Sequence, residues 1–118
     1  DLARLGADAG VAAVASFHGI LDDGVIPAAD MSAPGAPRVL FCHGDADPFV
    51  SAEARAACEA QLRASGARWE LLVFGGVRHG FTNPAQDFNE NPAFGFDPRA
   101  AAESWAATKR LLEQQLLA

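Results

Sequence analysis

The chain has 118 residues, half of them apolar and a fifth charged, with fifteen acidic against nine basic side chains and a formal charge of −6. That length suits a single small core, and the acidic balance excludes a phosphate-tracking surface, which concentrates Lys and Arg. No stretch approaches the roughly 18 to 20 continuous apolar residues of a membrane-spanning helix, so neither nucleic acid nor a bilayer is an expected partner.

The first segment, Asp1–Asp8, reads as the end of a helix rather than its start. Leu2 and Leu5 lie a helical turn apart, and Gly6 closes the pattern as a C-cap glycine does. The expectation is that something precedes residue 1, and that any targeting signal would lie there. Val11–Phe17 (VAAVASF) and Arg38–Cys42 (RVLFC) are nearly continuous apolar runs of strand length, as parallel strands covered on both faces are. Ser51–Ser65 predicts a helix, with Ser51 as N-cap and Gly66 as stop. A third strand follows at Trp69–Phe74 (WELLVF). The last helix is predicted over Pro98–Leu117, opened by Asp97 and Pro98, with Trp105, Leu112 and Leu116 on one face. Gly19–Pro37 and Gly80–Asp97 stay irregular, and loops of that length are uncommon unless they have a task.

Strands alternating with helices predict an α/β fold of three parallel strands with flanking helices. There are no internal repeats. Three strands make a thin core, so residues 1–118 read as half of a fold. Cys42 and Cys58 have neither metal nor redox spacing and read as buried reduced thiols, which suits a reducing compartment such as the cytoplasm.

Each apolar run ends close to a His-Gly pair: His18-Gly19, His43-Gly44 and His79-Gly80. Ligands of open parallel sheets bind beyond the carboxyl ends of the strands, which puts the three histidines on one edge. The second strand end adds Asp45 and Asp47. A carboxylate after one strand can meet a histidine after the next, fix its tautomer and stabilise its charged form. His18 and His43 read as hydrogen-bonded packing residues at strand ends, and Asp45 as a turn-former. His79 lies among glycines that give an imidazole little to pack against. Asp47 is held extended by Pro48. A metal site of His18, His43, His79 and Asp47 has the right ligand types but no H-x-x-x-H or C-x-x-C spacing, and no cofactor is expected.

Phe17-His18-Gly19, His43-Gly-Asp-Ala-Asp-Pro-Phe-Val-Ser51 and Gly76-Val-Arg-His-Gly-Phe-Thr-Asn-Pro84 together resemble the dienelactone hydrolase family. The Ala100–Trp105 helix fits as well. The resemblance spans nearly the whole chain and implies the C-terminal portion of an α/β-hydrolase domain, whose triad runs nucleophile, acid, histidine. It implies that Asp47, rather than Asp45, is the triad acid and that His79 is the base. It also implies that Asp1–Leu5 ends the helix after the nucleophile elbow, so that the nucleophile, commonly Cys, lies shortly before Asp1.

Two departures follow. No Ser or Cys has glycines two residues away on both sides, so the Gly-x-Ser/Cys-x-Gly elbow is absent. Dienelactone-cleaving members carry an arginine four residues after the histidine that helps hold the substrate carboxylate; here that residue is Asn83. Arg78 is the candidate substitute, with an exposed charge as its plainer role. The expected activity is cleavage of an ester or lactone by a Cys/Ser-His-Asp triad, with this chain alone inactive. The alternative is a non-catalytic fragment or degenerate hydrolase acting as an assembly module, associating with a chain that supplies the N-terminal half or with itself.

Overall fold

The computed structural model describes residues 10–21 and 31–117. The helix end expected at Asp1–Asp8 and the middle of the Gly19–Pro37 stretch lie outside them. Three strands, β1 (Ala13–Phe17), β2 (Arg38–Gly44) and β3 (Arg68–Phe74), form a parallel sheet in sequential order, flanked by helices α1 (Ala52–Ser65) and α2 (Pro98–Leu116). This is the α/β arrangement of three parallel strands that the pattern predicts. Among the described residues, no helix is long and apolar enough to cross a membrane.

The alternation of β2 divides the core. Val39 and Phe41 pack with Met31, Val50, Cys58 and Leu62 on the α1 face, while Leu40 and Cys42 pack with Phe74, Phe81, Ala107 and Leu111 on the α2 face. Burying each large apolar side chain contributes about 2 kcal/mol. β2, hydrogen-bonded on both edges, pairs Phe17 with Cys42 on one side and Gly44 with Phe74 on the other.

The caps fall where the residue types place them. The Ser51 hydroxyl accepts from the Ala54 N–H, Gly66 ends α1 at φ 71°, and the Asp97 carboxylate accepts from the Ala100 N–H. α2 carries two unlike faces. Trp105, Leu112 and Leu116 do share a face, but it points outward; the buried face is Ala100, Ser104, Ala107, Thr108 and Leu111. Small side chains let the helix sit close to the sheet, and Leu111 supplies most of its apolar bulk.

Candidate active site

β2 runs two residues beyond its expected end, through Gly44, and that extension decides the geometry. Gly44 lies so close to the loop after β3 that a Cβ on it would stand 2.1 Å from the Val77 carbonyl oxygen. The approach is sealed by two backbone bonds: Asp45 N–H donates to Phe74 O at 2.8 Å and Ala46 N–H to Val77 O at 3.0 Å. The chain then turns at Asp47, whose side chain is fully buried. Its Oδ1 accepts from the Phe49 N–H at 2.8 Å, and its Oδ2 lies 2.6 Å from Nδ1 of His79.

His79 is held by its backbone as well. Its N–H donates to Ala93 O at 3.0 Å, and its carbonyl accepts from Gly95 N–H at 3.2 Å, an isolated parallel bridge to Phe94. This is the task of the long 80–97 loop. Its Asn and Asp side chains fold it on itself: Asn89 Oδ1 accepts from Asn91 N–H, Asn91 Oδ1 from Ala93 N–H, and Asp87 Oδ1 from Phe96 N–H. A short 3-10 helix at Pro84–Phe88 completes it.

A carboxylate is acceptor-only, so the Asp47 contact fixes the proton of His79 on Nδ1 and leaves Nε2 as the basic nitrogen. With the Asp47 side chain 0% exposed and that of His79 18% exposed, the acid is shielded while the imidazole is reachable. Three rings stand edge-on to it: Phe49 at 5.0 Å between centroids, Phe94 at 5.2 Å and His18 at 5.4 Å. Neither phenylalanine stands out in the sequence, and His18, expected only to pack at its strand end, is brought into the site. Its ring makes the hydrogen bond expected of it, Nε2 to Thr82 Oγ1 at 2.9 Å. Burial pushes the His18 pKa down, and the neighbouring His79 adds to that.

His43 differs from expectation. It falls inside β2, so alternation turns it inward; it is 0% exposed, and neither ring nitrogen meets a hydrogen-bond partner among the described residues. Burial lowers its pKa to about 4, which keeps it neutral, with the Asp47 charge offsetting this only in part. Asp45 is exposed and pairs with Arg55. The four residues weighed as metal ligands are committed elsewhere or sealed, and among the described residues no group of three or more His, Cys, Asp or Glu is arranged to hold a metal ion.

Asn83, at the position of the family's arginine, and Arg78, the candidate substitute, both contact the loop's own backbone. Asn83 Oδ1 caps the 3-10 helix by accepting from the Ala85 N–H. The Arg78 guanidinium lies across Gly95 and donates to Pro92 O at 3.2 Å. Both cysteines are buried, and burial pushes their thiols up, away from the thiolate a nucleophile needs.

The sequence profile of the dienelactone hydrolase family matches residues 1–116. Among solved structures the chain is similar to a dienelactone hydrolase-like promiscuous phosphotriesterase from metagenomic libraries, with 32% identity and a TM-score of 0.74 over 92% of this chain and 45% of that one. It is equally similar to a protein named m3DLH, at 32% identity and a TM-score of 0.75 over the same shares, 92% and 45%. The chain thus spans 45% of the length of each of these relatives. No curated protein matches it.

Proposed function

Because the chain belongs to the dienelactone hydrolase family, we propose that it forms the acid–base part of a carboxylic ester or lactone hydrolase, with Asp47 as the acid and His79 as the base of a catalytic triad. The observation that carries this reading is the 2.6 Å contact between a wholly buried carboxylate and a partly exposed imidazole.

The steps follow from the tautomer. Nε2 of His79 takes the proton of a hydroxyl or thiol nucleophile as it attacks the carbonyl carbon, and the imidazolium so formed is stabilised by Asp47 through Nδ1–H. His79 then returns the proton to the leaving oxygen. An incoming water repeats the transfer and releases the acid. The attacking group comes from outside residues 1–118: the chain has no Gly-x-Ser/Cys-x-Gly elbow, and its two thiols are buried.

The substrate class is uncharged at the part facing His79. Asn83 carries no charge and caps the 3-10 helix, the Arg78 guanidinium turns to Pro92 O, and two phenylalanines flank the base instead. Neutral esters and lactones fit that surface. Neutral phosphotriesters are a second substrate class to assay, since one similar protein is described as a promiscuous phosphotriesterase.

The test is hydrolysis of p-nitrophenyl acetate by the protein in its full length. His79→Ala and Asp47→Asn are each expected to lower kcat by about 10⁴-fold, as triad lesions do in serine hydrolases. The isolated 118-residue chain is expected to show no turnover above its own His79→Ala variant. Full activity in either variant overturns the reading.

The alternative, a non-catalytic assembly module, draws support from the outward apolar face of α2, where Trp105 is 55% and Leu116 64% exposed. Such a face favours association with another chain or a second copy. No turnover in the full-length wild type, together with self-association in sedimentation, would favour this reading over hydrolysis.

A further inference from the structure

The mechanism above gives His18 no part, yet its placement is over-determined. It is the one described residue other than glycine with positive φ, at 41°, in the left-handed region that side chains adopt under strain. Its N–H is tied to Cys42 O at 2.8 Å, which fixes the end of β1 against β2. From there the ring crosses to the loop that carries the base. It stands edge-on to His79 and to the buried Phe81, each at 5.4 Å between centroids, and bonds Thr82 through Nε2 at 2.9 Å. His18 therefore touches that loop at residues 79, 81 and 82, from a strand more than sixty residues away in the chain.

We propose that His18, locked by Thr82, is a positioning residue for His79, setting the tilt of its ring; this rests on the reading of His79 as the base. Asp47 pins the imidazole at Nδ1 alone, and a ring pinned at one atom can still swing the opposite nitrogen. Phe49 and Phe94 limit that swing on their sides. His18 limits it on the side of β1. Strained backbone persists where the surroundings enforce it, and here it is what places the ring against the loop. A hydrogen-bonded packing residue would account for the bond to Thr82 but would not need the left-handed φ. Displacing a catalytic group by about 1 Å costs on the order of 10²-fold in rate, so even a small swing is measurable.

The experiment uses the full-length protein and four variants: Thr82→Val, Thr82→Ser, His18→Gly and the double variant His18→Gly/Thr82→Val. Thr82→Val keeps the shape and removes the hydroxyl; Thr82→Ser keeps the hydroxyl. Glycine accepts φ 41° without strain, so His18→Gly removes the ring and leaves the backbone at ease. Thr82→Val and His18→Gly are each expected to lower kcat about tenfold with KM within about twofold and Tm unchanged. Thr82→Ser should keep wild-type kcat, and the double variant should fall no further than the worse single one, because the two residues act as a unit.

Wild-type kcat in Thr82→Val and His18→Gly overturns the proposal. So does a loss in Thr82→Ser as large as in Thr82→Val, or a kcat loss that tracks Tm, since both mark a purely structural role. His79→Ala run alongside separates the two failures. If that variant is dead while Thr82→Val and His18→Gly are normal, only the positioning role falls; if it stays active, the base assignment falls and this role with it.

Discussion

The end of β2 and the loop after β3 each bring a His-Gly pair to the same carboxylate, and the two imidazoles meet opposite fates. His43 is still in the strand, so the pleat turns it into the core, where it has no hydrogen-bond partner among the described residues and a pKa of about 4. His79 comes five residues after β3 ends, beyond a turn through Gly75 and Gly76, and meets Asp47 at 2.6 Å while keeping 18% of its side chain exposed. The chemical type is the same in both. What separates a core filler from a candidate base is where the strand stops, and whether a carboxylate meets the ring before the core does.

The sharpest way to break this contrast is to exchange the losses. His79→Ala should remove about 10⁴-fold of kcat, whereas His43→Leu, assayed on the same ester, should leave kcat within about threefold. A comparable loss at both positions would mean that burial does not separate their roles.

The next effect is on stability in acid. Below pH 6.5 the unfolded chain takes up a proton at His43 that the folded chain refuses until about pH 4. The unfolded state then holds more protons, so stability drains as pH falls through that window, by roughly 3 kcal/mol in all. His18, with its pKa also lowered, adds in the same direction. Urea midpoints of the wild type should drop between pH 7 and pH 4.5, and His43→Leu should flatten the slope; an unchanged slope would contradict the buried neutral imidazole.

Gly44→Ala tests the approach that brings the two regions together. The added methyl would meet the Val77 carbonyl, which is backbone and has little room to give. A loss of about 2 kcal/mol in denaturant stability is expected, with a fall in kcat as the 76–79 turn is pushed from Asp47. The smallest effect belongs to Arg78→Gln. Its guanidinium is exposed and faces Pro92, so turnover of a neutral ester should change by less than about twofold.

Much of this architecture can be read from the residues. The apolar run of β2, the Ser51 and Asp97 caps and the Gly66 stop are local signals, and local physics decides them. The pairing of Asp47 with His79 also follows from two strand ends in parallel order, together with the family resemblance. Other features depend on distant partners. The inner face of α2 is built from Ala100, Ser104, Ala107 and Thr108, whose weak hydropathy is hidden beside the louder Trp105, Leu112 and Leu116 on the outer face. The strand end after Cys42 is invisible because His43 and Gly44 look like turn residues, and only pairing with Val73 and Phe74 keeps them in the sheet. His18 reads as packing because its partner Thr82 lies 64 residues away.

The Asp47–His79 bridge also gives the molecule a built-in reporter. A proton held on Nδ1 and shared over 2.6 Å with a carboxylate that solvent does not touch is strongly deshielded and slow to exchange. It should appear as a solitary line far downfield of the amide envelope in a proton NMR spectrum. That line would announce the assembled pair with no substrate and no nucleophile present, and would vanish in Asp47→Ala.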